Sequence, residues 1–365
     1  MIIRYTLFND DEFGNGALKR THQISTILSK VDREVVTVSK YPKLHLGKSV
    51  ISRLKIGRNY YSFFGIKMFN RKKLVEKAID IISWKQWLLE LQKNEKKLIV
   101  VYELSYYADY SLIFACVQLG IKIIGLPHNL ESLVYRQKSI LSNKIAPNWF
   151  NEEIKLLGLF SEIYTISREE QWLLNLYNIN ANYLPYYPSK KVIKNCLKIR
   201  KLRTSTDKDF ILSLGSASNP PTLEGFKELV SYYEESKIKE DLVIAGFDTE
   251  RLKEHFTNFP PNIKLKGSLN NSELELALVT CKAIIIYQKP STGALTKIPE
   301  LLLCGIPVIC NNVTARTYFN LEGVTLFNSK NQLKTILKNK LVVSKMKDIS
   351  FDYYYDFLKE FKIKI

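Results

Sequence analysis

Three short stretches carry residue types and spacings that can do chemistry. The first is KAIIIYQKPSTGALTKIPELLLCGIPVICN, residues 282–311. Its apolar run ends near Tyr287 and Gln288, and a loop with Ser291, Thr292, Gly293, Ala294 and Thr296 follows. A helix then starts at about Lys297. Pro299 falls in its first turn, where no intrahelical N–H is lost, and Gly305 ends it. Loop N–H groups and the helix dipole attract an anion, and Lys297 adds a point charge. Glu300, in the first turn, can accept two hydrogen bonds from a vicinal diol such as ribose. Taken alone, the same residues also read as a plain strand–loop–helix.

The second stretch is DDEFGNGALKR, residues 10–20. Gly14 and Gly16 bracket a turn that opens a helix at about Ala17, and glycines let backbone approach a phosphate or sugar closely. Lys19 and Arg20 stand beside it. The spacing matches neither GxGxxG nor GxxxxGK[ST]. The third is LPHNLESLVY, residues 126–135. His128 ends a strand-like run, followed by Asn129 and Glu131. An imidazole there can stabilise charge on a leaving phosphate. Glu103 and Glu131 are carboxylates able to serve an acceptor hydroxyl, although Glu131 can instead cap its helix. The four histidines (22, 45, 128, 255) do not pair at metal-ligand spacing. No GxSxG elbow is present.

Positioning these residues falls to strands that alternate with helices. Strand-length apolar runs lie at 2–8, 34–39, 97–103, 122–128 and 162–167. A second series lies at 210–216, 241–247, 262–268, 282–288 and 307–311. Periodic segments such as 17–29, 110–120, 222–238, 271–280 and 297–304 lie between them. Short apolar strands separated by helices predict parallel sheets. Two series predict two doubly wound α/β domains, with ligands beyond the carboxyl ends of the strands. The expected boundaries are a first domain 1–188, a basic linker 189–206, a second domain 207–344 and a C-terminal helix 345–365 that crosses back to the first.

The chain has 365 residues and a net charge of +18. Its five scattered cysteines and lack of CxxC exclude a disulfide framework or zinc ribbon. No signal peptide and no apolar run of about 18 residues is seen, so the expected location is cytoplasmic. Between residues 40 and 77 eleven Lys and Arg face a single acid, Glu76, with aromatics interleaved. Such a surface suits an anionic membrane face, which places the protein peripherally on its inner side. A solvated face over a local core is the plain alternative. No recognition helix or RNA motif points to nucleic acid.

The 282–311 stretch resembles the donor-nucleotide signature of GT-B glycosyltransferases, in particular those around glycosyltransferase family 4, through Lys297, Glu300 and Gly305–Ile306–Pro307–Val308. FILSLGSASNPPTLEGFKELV (210–230), LVIAGFDTERL (242–252), IKLKGSLNNSELELALVTCKAIII (263–286) and NEEIKLLGLFSEIYTISREEQWLL (151–174) resemble other units of the family in order. The resemblance covers most of the chain except 40–95. It implies two Rossmann-like domains facing across a cleft. It implies a donor site of Gly14, Gly16, Ser216, Ser268, Thr292, Gly293, Ala294, Thr296, Lys297 and Glu300, with Glu300 on the ribose and Lys297 on the pyrophosphate. His128, Lys297 and Glu300 would be the catalytic set. Arg20, Glu103, Asn129 and Glu131 would belong to the acceptor side.

The chain departs from the family pattern in two places. Thr292 stands where many retaining members carry a first glutamate, and Gly215–Asn219 stand where many carry an arginine and a lysine. No DxD is present. The implied function is transfer of a sugar from a nucleotide sugar, UDP- or GDP-linked and itself a substrate, to a glycan or lipid-linked acceptor in surface polysaccharide or glycoconjugate synthesis. It implies retention and needs neither metal nor cofactor. The alternatives are a degenerate nucleotide- or glycan-binding protein of the same fold, and an inverting enzyme with Glu103 or Glu131 as base.

Overall fold

Apolar runs bounded by Gly, Asn and Ser become strands because both their faces find helices to cover them. The computed structural model describes residues 1–345 apart from 32, 41–48, 96, 107–108, 205–207 and 257–258. It divides between Pro185 and Tyr186. In the first unit β1 (Ile2–Tyr5), β2 (Val35–Val38), β3 (Ile99–Leu104), β4 (Lys122–Pro127), β5 (Glu162–Thr165) and β6 (Ala181–Tyr183) form one parallel sheet. Its order is β2-β1-β3-β4-β5-β6. Among the described residues six α-helices accompany it: α1 (Gly16–Leu28), α2 (Val50–Phe63), α3 (Arg71–Asn94), α4 (Ser111–Gln118), α5 (Phe150–Leu157) and α6 (Arg168–Leu176). β1 and β3 are buried throughout. One core cluster centres on Trp84 and Tyr102, with Tyr5 stacked on Tyr102 at 4.4 Å between rings. A second joins Ile24 and Ile27 of α1 to Ile2, Val101 and Leu126.

The second unit opens with α7 (Lys190–Arg203). Its strands are β7 (Phe210–Leu214), β8 (Leu242–Ala245), β9 (Ile263–Gly267), β10 (Cys281–Ile286), β11 (Val308–Cys310) and β12 (Val324–Leu326). Its other helices are α8 (Pro220–Ser236), α9 (Asn271–Thr280), α10 (Lys297–Leu303), α11 (Asn312–Ala315) and α12 (Lys330–Lys338). The sheet is parallel, in the order β12-β11-β10-β7-β8-β9. Strand order therefore reverses between β1 and β3 in one unit and between β7 and β10 in the other. Carboxyl strand ends diverge at such switch points and leave room for a ligand.

The stretch expected as a linker is largely α7. Val192, Cys196 and Ile199 share one helix face and are buried in the second core. Arg200 donates to the carbonyls of Leu302 and Leu303, and Arg203 to that of Cys281. The basic residues thus decorate a packed helix and hold the ends of its neighbours. Beyond residue 345, the expected C-terminal helix lies outside the described residues, as do residues 41–48 of the basic stretch. No helix among the described residues is long and apolar enough to cross a membrane.

Candidate functional site

Bare backbone lines the carboxyl edge of the second sheet. Gly246, just past β8, has φ +135°, and a Cβ there would lie 2.0 Å from the carbonyl oxygen of Gly215. Its N–H donates to the carbonyl of Gly267, the last residue of β9, at 2.7 Å. These glycines keep the ends of β7, β8 and β9 low.

At the β7/β10 switch point three elements converge. Lys297 reaches from the start of α10 to the end of β7, where its Nζ donates to the Leu214 carbonyl at 2.6 Å. α8 begins at Pro220 immediately after the β7 loop; Pro220 and Pro221 carry no N–H and the Thr222 and Leu223 N–H groups donate to the Asn219 carbonyl, so its start offers an anion the positive end of the helix dipole rather than free donors. Gln288, past the end of β10, donates to Thr222 Oγ1 at 2.9 Å and ties the start of α8 to that strand. α8 comes so close that a Cβ on Gly225 would sit 2.0 Å from the Tyr287 carbonyl oxygen. A long helix N-terminus beside an ammonium group is an arrangement that attracts phosphate.

Arg316 braces the loop between β10 and α10. Its Nε donates to the Gly293 carbonyl at 2.7 Å and its Nη2 to that of Thr292 at 3.0 Å. Thr296 is buried, whereas Thr292 and Ala294 are half-buried. Pro299 lies in the first turn of α10, and Gly305, with φ +71°, terminates that helix as expected. Glu300 Oε1 accepts the Tyr186 hydroxyl at 2.7 Å. Burial first, and then the charge of Glu300, push the Tyr186 phenol far above the ordinary tyrosine range. Ser216 stands in the β7 loop, bonded through Oγ to Ser218 at 2.6 Å. Ser268 is exposed at the end of β9, two strands away from β7. Tyr186, Gly246 and Arg316 were not among the expected residues. Each is a lone side chain or glycine whose role depends on a distant backbone atom or carboxylate.

In the first unit the carboxyl ends of β1, β3 and β4 meet around Glu103. The expected position of His128 at the end of β4 holds. Its Nε2 lies 3.4 Å from Glu103 Oε2, and Phe8 packs on its ring at 5.0 Å. Glu103 is 1% exposed and also accepts from Arg4 Nε at 2.6 Å, Thr6 Oγ1 at 3.1 Å and Thr21 Oγ1 at 2.7 Å. Burial pushes its carboxyl up, but the His128 hydrogen bond and the Arg4 charge outweigh that and hold it below the usual value. Glu103 therefore corrects the sequence expectation. Its oxygens are saturated inside the protein, so it fixes His128 rather than meeting an acceptor.

Arg20 needs the same correction, whereas Glu131 is buried without being saturated. Glu131 is buried, and its two oxygens accept from Asn129 Nδ2 and Gln137 Nε2, each at 3.3 Å. Burial and the neighbouring Glu153 push it up to about 8. It does not cap its own helical turn either. Glu153 accepts from the N–H groups of Glu131 and Ser132, and Glu170 accepts from that of Leu130. Burial raises Glu153 to about 7, with the bonds from Ser132 pulling the other way. Arg20 is 1% exposed, and its Nη1 donates to Gln23 Oε1 and to the Pro185 carbonyl.

Gly14 and Gly16 sit at the β1–α1 turn as expected. Asn15 caps α1, however, and its side chain takes the N–H groups of Ala17 and Leu18. Asp10 pairs with His22, and Asp11 lies against Gly14. The turn is acidic, and Asn15 takes two of its helix donors, which leaves a phosphate fewer partners there.

No protein-family model and no curated protein sequence matches the chain. Solved structures do. UDP-GlcNAc 2-epimerase from Methanocaldococcus jannaschii aligns over 100% of both chains, with TM-score 0.53 and 13% identity. The UDP-forming alpha,alpha-trehalose-phosphate synthase from Burkholderia vietnamiensis aligns over 93% of this chain and 90% of its own, with TM-score 0.54 and 11% identity. Anabaena HepE in complex with UDP aligns over 93% and 89%, with TM-score 0.52 and 11% identity. At these identities the likeness is one of fold. The chain has the GT-B fold, built of two Rossmann-like α/β units.

Proposed function

We propose that this chain is a glycosyltransferase that moves a sugar from a nucleotide-sugar donor to a hydroxyl of a glycan or lipid-linked acceptor. The observation that carries the reading is the switch point of the second unit, where Lys297 spans from α10 to the end of β7 beside the positive end of the α8 dipole. Glu300 stands one turn into the same helix. The diphosphate would lie against Lys297 and the α8 N-terminus, and the ribose against Glu300. Support for a UDP-linked donor comes from structural neighbours solved in complex with UDP or a UDP-sugar.

In this reading the acceptor oxygen attacks C1 of the donor sugar as the bond from C1 to the diphosphate oxygen breaks. The acceptor proton passes to that leaving oxygen on the same face, and configuration is retained. His128, held by Glu103, is a candidate for stabilising developing negative charge. The acceptor side belongs to the first unit. The basic surface around α2 and α3 favours an acceptor presented at an anionic membrane, on the cytoplasmic face, in surface-glycan synthesis.

Calorimetric titration with UDP, GDP and their sugars tests the donor side. Glu300→Ala should weaken the preferred nucleotide by about 1.5–3 kcal/mol, the usual worth of hydrogen bonds to a charged group. Equal affinity in a folded variant would remove Glu300 from the donor site. The fold also carries an epimerase, so products decide the reaction. A free nucleoside diphosphate with a lengthened acceptor supports transfer. Binding without turnover favours the degenerate binding protein.

A further inference from the structure

Tyr186 is the first residue of the second unit and lies in an irregular segment between β6 and α7. An irregular segment places a side chain reproducibly only when it is tied down. Here Ser189 caps α7 three residues on. The ring that follows Pro185 is 2% exposed, and its hydroxyl ends on Glu300 Oε1. A phenylalanine would fill this place equally well as an apolar body. The hydroxyl is the part that packing does not require.

Resting on the donor reading above, we infer that Tyr186 is a positioning residue. Its hydroxyl fixes one oxygen of Glu300 and so sets the plane in which that carboxylate meets the two ribose hydroxyls. A glutamate side chain has rotatable bonds that an exposed group would sample freely, and ordering them in advance reduces what binding must order later. The proton stays on Tyr186, because burial and the facing carboxylate both oppose its ionisation. Tyr186 thus remains a donor wherever Glu300 is charged.

The test compares UDP and GDP with their dideoxyribose counterparts, which lack both hydroxyls, by calorimetric titration. In the wild type the ribose nucleotide should bind at least tenfold more tightly. Tyr186→Phe should reduce that preference several-fold and leave the dideoxy affinity unchanged. In the Glu300→Ala background, Tyr186→Phe should add no further loss, since coupled residues are not additive. Equal weakening of both nucleotides, or additive losses in the double variant, would assign Tyr186 to packing and overturn the inference. Should Tyr186→Phe fail to fold, a fluorotyrosine at this position keeps the shape and makes the hydroxyl a stronger donor. It is expected to change the ribose nucleotide's affinity alone, and no selective change overturns the inference. A wild type that binds neither nucleotide, or binds ribose and dideoxyribose forms equally, overturns the Glu300 assignment itself, a failure visible before any Tyr186 variant is made.

Discussion

Two buried glutamates of the first unit are driven in opposite directions, and their partners explain why. Glu103 faces the Arg4 guanidinium, His128 and two threonine hydroxyls, all of which favour its charged form. Glu131 faces two side-chain amides and the Glu153 carboxylate, and the like charge adds to burial in raising it to about 8. The sequence shows both as acids near strand ends and cannot distinguish them, because the difference is made by Arg4, Thr21 and Glu153 at a distance along the chain. The consequence for stability follows by linkage. Between the ordinary value of 4.5 and about 8 the folded protein holds the Glu131 proton that the unfolded chain releases. Stability contributed by that proton is complete below about 4.5 and is lost as pH rises through 8. Glu103 acts in the reverse sense, and only as pH falls below its ordinary range. Thermal unfolding from mildly acid to mildly alkaline pH should therefore show a falling Tm. Glu131→Gln, which keeps the shape without the charge, should flatten much of the decline. An unchanged slope would mean that Glu131 does not carry it.

Elements were legible where their signal was apolar periodicity and obscure where charge overlaid it. All ten expected strands form, and α9 matches its expected range of 271–280. β6 and β12 were missed because strands of three residues are too short to show a pattern. α7 was obscured because seven of its 14 residues are lysine or arginine, and α2 and α3 because cations are scattered among their apolar residues. The loop and helix at 291–305 were readable because Lys297, Pro299, Glu300 and Gly305 are close together in sequence. Its braces, Arg316 and Tyr186, are not. Helix docking at the switch point also depends on a position that looks unremarkable in sequence. Gly225 lies within α8, and a methyl there would meet the Tyr287 carbonyl at 2.0 Å. Gly225→Ala should push α8 away from β10, cost about 1–3 kcal/mol as overpacking does, and weaken nucleotide binding as well. Gly158→Ala, where the new methyl meets only Ile154 and Lys155 carbonyls at 3.4 Å and beyond, should be nearly neutral. Denaturant unfolding of the two variants checks the contrast, and equal stabilities would show that α8 yields without cost.

The net charge of +18 is a property of the whole molecule, but it is unevenly placed. Among the described residues between 49 and 77, Lys55, Arg58, Lys67, Arg71, Lys72 and Lys73 are exposed, while Glu76 is the exposed acid among them. Lys77 is engaged by Asp80 and Asp109 and adds little outward field. Phe69, between α2 and α3, is 84% exposed in the midst of these cations. α2 and α3 cross closely at Gly57 and Leu74, so the pair presents its cations from a packed scaffold. A solvated helix face would also tolerate the charges, but it gives no reason to expose a phenylalanine. A membrane surface does, because each cation near anionic lipid is worth about 1 kcal/mol and an aromatic ring gains by leaving water. Co-sedimentation with vesicles should show binding to phosphatidylglycerol-rich membranes at low salt and little to pure phosphatidylcholine. Raising the salt to about 1 M shortens the screening length to roughly 3 Å and should release the protein. Lys67→Glu with Lys73→Glu removes two favourable charges and adds two unfavourable ones, so affinity should drop by at least about thirtyfold, or ~2 kcal/mol. Phe69→Ala should weaken binding at low salt while leaving its salt dependence in place. Salt-independent binding to both vesicle types, or none to either, would separate the basic surface from the membrane and leave the acceptor to be sought among soluble glycans.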